Sequence, residues 1–171
     1  RRGQEALSLI LNQVRSPYIG LLGTGMGALH AEVSLLRQDR INSLFVITGG
    51  AGFAEIFVKT DESIYRDLLE QRTAGGRQTA EQVVKGIDQH LNFEPERFPE
   101  AVTGRDFGMS ISLKDSCIPT ANQQKLKEAW KPARTLTYAS SHAMTIFKTW
   151  LFDRGKILAF FENGEKARKI S

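Results

Sequence analysis

Five short apolar runs separated by helical segments, two of them closing on glycine-rich turns, predict a three-layer α/β fold on a doubly wound parallel sheet of about five strands. Parallel strands need crossover connections, which places helices on both faces of the sheet. With 171 residues, 41% hydrophobic and 25% charged, the chain can build one core, and no linker divides it, so 1–171 reads as a single Rossmann-like domain.

Residues 4–15 carry Ala6, Leu9, Ile10 and Val14 at helical spacing, and Ser16-Pro17 ends that helix. Tyr18 to Leu22 is the first strand. Gly23-Thr24-Gly25-Met26-Gly27 then turns into a helix from Ala28 to Leu36. The unit repeats in Leu44 to Ile47, a β-prone run ending in Thr48-Gly49-Gly50-Ala51-Gly52. A helical stretch is expected around Glu62 to Glu70, and a second, amphipathic through Val83, Val84, Ile87 and Leu91, over Thr79 to Leu91. Asn92 to Gly108 mixes Pro, Gly and charge without a sustained period and reads as an inserted loop, 92–108. Met109 to Leu113 follows as a strand, Thr120 to Trp130 as a helix, and Leu136 to Ala139 as a strand. His142 to Phe152 is the next helix, and Lys156 to Phe161 is the fifth strand.

Lys and Arg number 23 against 19 Asp and Glu, a formal charge of +4. No basic run exceeds two residues and no aromatics interleave with the charges, so the surplus is solvated surface and no specific nucleic-acid partner is expected. The single Cys117 excludes an intramolecular disulfide and is compatible with a reducing compartment. No apolar run approaches the roughly 18 residues of a membrane helix. The expected location is cytoplasmic, which leaves an upstream signal or anchor open.

Ligands of an open α/β sheet sit at the carboxyl ends of the strands where the winding reverses. There Gly23, Thr24 and Gly25 form either an anion-cradling turn or a plain tight turn, because the spacing matches neither a dinucleotide nor a P-loop motif. Thr48, Gly49 and Gly50 offer the same choice after the second strand. Asp115 and Asn122 are candidates to hold a polyol, and Thr120 is an expected N-cap. Ser140 and Ser141 open the next helix as caps or ligand contacts. His142 is the only histidine at a predicted strand end, as a general base or a hydrogen-bond partner, whereas His30 and His90 fall within helices. There is no Gly-x-Ser-x-Gly elbow, so no hydrolase triad is expected. No His, Asp and Glu cluster at ligand spacing is present, so no metal site is expected either. The residues name no cofactor.

In order, Gly20 to Gly25, Ile47 to Gly52, Arg77 to Leu91, Ile111 to Ser116 with Thr120-Ala121-Asn122, and Tyr138 to His142 resemble the YdcF-like family, the bacterial group that includes SanA and ElyC. The resemblance implies a Rossmann-type sheet with a polar pocket at the strand ends; adenosyl-methionine binding and a role around envelope lipid carriers have been suggested for the family. This chain departs from the family pattern. Thr79 stands where an acid is usual, the Glu of Thr-x-Glu-Asn is missing, and Ala143 to Ile146 follow His142 without an Arg, Lys148 being the nearest cation. The expected function is binding of a small nucleotide-like or phosphorylated ligand at the carboxyl edge of the sheet, extending to transferase or hydrolase chemistry. The alternative is a non-catalytic interaction or sensor module on a degenerate enzyme fold.

Overall fold

The computed structural model describes residues 2–61, 63–90 and 94–170. Its order is α1 (Arg2–Gln13), β1 (Gly20–Thr24), α2 (Met26–Arg37), β2 (Ser43–Ile47), α3 (Phe53–Lys59), α4 (Ser63–Thr73), α5 (Ala80–His90), β3 (Asp106–Ser112), α6 (Thr120–Trp130), β4 (Arg134–Tyr138), α7 (His142–Phe152) and α8 (Arg154–Ile170). The strands form one parallel sheet in the order β1-β2-β3-β4.

Alternation along β2 explains the layers. Leu44 and Val46 join Phe107, Met109 and Ile111 of β3 on one face, under Leu11 of α1, Ala28, Ala31 and Leu35 of α2, and Leu126 and Trp130 of α6. Phe45 and Ile47 point the other way and meet Ile157 and Phe160 of α8, with Ile146 of α7 beside them. On that second face β3 presents Gly108, and a Cβ there would lie 2.6 Å from the Phe45 ring. The absent side chain lets Phe45 and Phe160 pack edge to face, their centroids 5.5 Å apart.

The expectations need four corrections. Among the described residues there are four strands, because Lys156 to Phe161 lies inside α8. That apolar run fits helix and strand alike, and its helix packs one flank on the sheet while Leu158 stays exposed. The winding does not reverse among the described strands, since each crossover steps the same way. The second face is covered only after β4, by α7 and α8. The inserted stretch is shorter than expected, as β3 begins at Asp106. It is also packed, with Glu94 and Pro95 buried and the Trp130 indole N–H donating to the Pro95 carbonyl at 2.9 Å. Finally, α3 was not foreseen. Glu62, Leu91 and Asn92, which bound the expected helices and loop, lie outside the described residues. No helix among the described residues is long and apolar enough to cross a membrane.

Phe160→Ala is expected to lower the unfolding free energy by about 3–5 kcal/mol, the cost of an aromatic core truncation. Urea denaturation checks the packing of α8; a change below about 1 kcal/mol would show that α8 does not close that face.

Candidate functional site

The carboxyl ends of β1, β3 and β4 bring three of the expected residues together. Asp115 follows β3, and its side chain is fully buried. Its Oδ1 accepts from the amides of Cys117 and Ile118, both at 2.9 Å, and its Oδ2 from the Gln123 side-chain amide at 3.0 Å. All three are donors, so the carboxylate acts as acceptor throughout, and His142 Nδ1 must donate to it, 2.8 Å from Oδ2 and 3.0 Å from Oδ1. The other ring nitrogen is thereby left as the acceptor.

That nitrogen faces Gly25. The glycine sits between β1 and α2 at φ 53°, ψ −125°, and a Cβ built on it would lie 2.9 Å from His142 Nε2. A sharp, strained strand-to-helix turn of this kind carries the nucleophile of an α/β-hydrolase, in the pattern Gly-x-Ser-x-Gly and the chain order Ser, Asp, His. Here the pattern is Gly23-Thr24-Gly25-Met26-Gly27 and the order is Gly25, Asp115, His142. An imidazole and the carboxylate that orients it are present, and where that pattern has a serine this chain has Gly25. The backbone turn has the elbow's form, and position 25 carries no hydroxyl.

The other expected residues hold this edge together. Gly23 and Thr24 belong to β1, while Met26 and Gly27 open α2, so the first glycine loop shrinks to the turn at Gly25, whose amide donates to the Ile47 carbonyl. Thr48 is buried at φ 55°, with its amide donating to Ser110 and its hydroxyl to Ile47. Gly49 and Gly50 serve close approach: a Cβ on Gly49 would lie 2.2 Å from Glu32 Oε1, and one on Gly50 2.8 Å from Ile118. Of the expected N-caps, the one at Thr120 shifts and the one at Ser141 does not. Pro119 caps α6 while Thr120 donates its hydroxyl to the Ser112 carbonyl. Ser141 caps α7 without a side-chain bond, and Ser140 is buried against Thr145. Asn122 is buried and donates to the Ala51 carbonyl at 2.8 Å, so it braces the second loop.

Sequence reasoning missed Gln123, Glu32 and Glu94. Gln123 donates to Asp115 and accepts from the Ser112 amide at 2.9 Å, tying the acid to β3. Amides of the second glycine loop are already taken by carboxyl groups of this chain. Gly50 donates to Glu32, and Gly52 and Phe53 donate to Glu94. Burial pushes the Glu32 carboxyl well above the usual carboxylate range, opposed by the Gly50 N–H, with Glu94 and Glu96 adding a further upward push. Burial likewise raises Glu94. The donor atoms of Asp115, Cys117 and His142 lie within 4.8 Å of one another, a candidate metal-ligand set where none was expected. A cavity of about 570 Å³ opens between α3, α5 and the turn at 94–97, lined by charged groups including Glu55, Lys85 and Lys125. It is separate from the dyad, since Gly25, Asp115 and His142 do not line it.

No protein-family model matches the chain, and no curated protein matches it in sequence. Solved structures do match in fold. A Pyrococcus furiosus esterase superposes with a TM-score of 0.62 at 15% identity, covering 92% of this chain and 59% of that one. AbyA5 gives 0.62 at 14%, over 92% and 48%, and a Pyrococcus horikoshii acylaminoacyl peptidase gives 0.60 at 14%, over 84% and 23%. The fold is thus an α/β fold on a parallel sheet, like that of these three structures. The chain spans between about a quarter and three fifths of the length of these three structures.

A carboxyl whose folded pKa is raised contributes stability that is present below its unfolded value of about 4.5 and lost as pH rises through the folded value. Glu32→Gln removes that loss. In urea titrations from about pH 4 to about pH 8, the variant's advantage over the parent should therefore grow with pH, and a constant difference would show that Glu32 is not desolvated.

Proposed function

We propose that the chain carries a small-molecule site of hydrolase type at the carboxyl ends of its strands, in which His142, aligned by Asp115, acts as general base on a bound water or ligand hydroxyl. The observation that carries this reading is the 2.9 Å between His142 Nε2 and the Cβ position of Gly25, a place where the chain supplies no side-chain atom. With no hydroxyl at position 25, hydrolysis runs in one step. Water loses its proton to Nε2 as it adds to the carbonyl carbon, and the leaving group takes a proton back from the imidazolium. The first-turn amides of Met26 and Gly27, which lack intrahelical acceptors, are the donors offered to the carbonyl oxygen.

An uncharged ester or amide fits this site better than a nucleotide-like or phosphorylated ligand, because Glu32 and Glu94 already occupy amides of the second glycine loop. The reading shares with the YdcF-like resemblance a ligand at the strand ends and differs in its chemistry. Cytoplasmic placement accompanies it, supported by a lone thiol suited to a reducing compartment. The second reading is a binding or sensor module without turnover, favoured by the same missing nucleophile.

With p-nitrophenyl esters, the parent should turn over without a burst and without a covalent acyl adduct by mass spectrometry. His142→Asn should remove about two to four decades of rate with little change in affinity. No turnover in the parent, with affinity weakened by roughly 1 kcal/mol in the variant, establishes the binding module instead. Gly25→Ser should gain labelling by a fluorophosphonate that disappears when His142 is also replaced. An acyl adduct on the parent would overturn the one-step reading.

A further inference from the structure

The dyad and the Cys117 thiol beside it form a compact set of donor atoms. We infer that Asp115, Cys117 and His142 capture a thiophilic divalent cation of the Zn²⁺ class, with water or a ligand atom in the fourth position. Carboxylate, thiol and imidazole donors come from the loop after β3 and the start of α7, and they lie within 4.8 Å of one another. Zinc bonds of roughly 2.0–2.3 Å put the donors of a tetrahedral shell about 3.3–3.8 Å apart. The present spacings, from 2.8 Å for the His142–Asp115 pair up to that 4.8 Å limit, bracket the required ones, so side-chain adjustments suffice.

The set is held and accessible in the right parts. Asp115 is fixed from behind by two backbone amides and by Gln123, the outer-shell support that orients a metal-binding carboxylate. The His142 side chain is 17% exposed and Cys117 is half-buried, so a cation reaches the cluster from solvent. A thiolate and an imidazole select zinc over magnesium or calcium, which prefer all-oxygen shells. Ligation through Nδ1 releases the thiol proton to solvent and shifts the imidazole proton from Nδ1 to Nε2, so the ring stays neutral, one proton is released, and no electron is transferred. Metal capture stands whether or not the site turns over. Its consequence, that a bound cation takes the base out of action, rests on the function proposed above.

Titration with Co²⁺ tests the site without reference to activity. The parent should bind one equivalent, with a thiolate-to-cobalt charge-transfer band and the visible bands of a tetrahedral ion, and Zn²⁺ should displace it. Cys117→Ser should abolish the charge-transfer band. His142→Asn should weaken Zn²⁺ affinity by at least about tenfold, while His90→Gln, on an exposed helix, should leave it unchanged. Absence of the band in the parent, its survival in Cys117→Ser, or unaltered Zn²⁺ affinity in His142→Asn would each overturn the proposal. Ester turnover lost on adding Zn²⁺ in the parent but retained in Cys117→Ser confirms the link to the base. Metal binding in a parent without turnover leaves the metal site standing and removes only that link.

Discussion

The site depends on one buried carboxylate. Asp115 accepts from the two amides that follow it, from Gln123 and from His142, which satisfies both its oxygens and fixes the imidazole ring in one orientation. A carboxylate removed from water is tolerated only with such a full set of donors. Those donors are in register because β3 and β4 pair through Ser112 and Tyr138, placing the loop after one strand beside the helix after the other. A shift of this pairing would separate Asp115 from His142 and leave a charge without partners.

A second buried acid cluster does for the neighbouring loop what Asp115 does for the dyad. Glu32 on α2 and Glu94 before β3 reach the Gly50, Gly52 and Phe53 amides from two directions. Asn122 adds a bond to the Ala51 carbonyl and leaves its own Oδ1 without a partner among the described residues. The loop is therefore braced by the protein's own carboxyl groups, and the glycines there leave room for them. The cost is the desolvation that raises both acids, so this edge of the sheet is built at some expense of stability. The strained Thr48, buried at φ 55°, lies at the same edge.

Gly25 decides what chemistry such a frame can support. The turn and the His142–Asp115 pair are in place, and Gly25 presents no Cβ to the His142 Nε2 that faces it. Restoring a side chain requires the His142 ring to shift by a few tenths of an ångström and imposes a backbone conformation that L residues rarely adopt, at a cost of order 1–3 kcal/mol.

The sequence by itself determined the alternation of strands and helices, the parallel sheet, and the position of Asp115 and His142 at strand ends, because apolar periodicity and glycine punctuation are local signals. It also displayed the elbow spacing in Gly23-Thr24-Gly25-Met26-Gly27, but without a serine the pattern looked like any glycine turn. Tertiary structure decided the rest. Lys156 to Phe161 became helix because the sheet face over Phe45 and Ile47 required an apolar cover, a demand that no local window contains. Strand order, which the chain sequence leaves open, removed the expected reversal of winding. The partnership of Asp115 with His142, 27 residues apart, and of Glu32 with Gly50 arises only when separate segments bury their polar groups together. Desolvation then selects which amide each carboxylate takes, and that selection turned glycine loops that read as anion cradles into supports for a His–Asp pair.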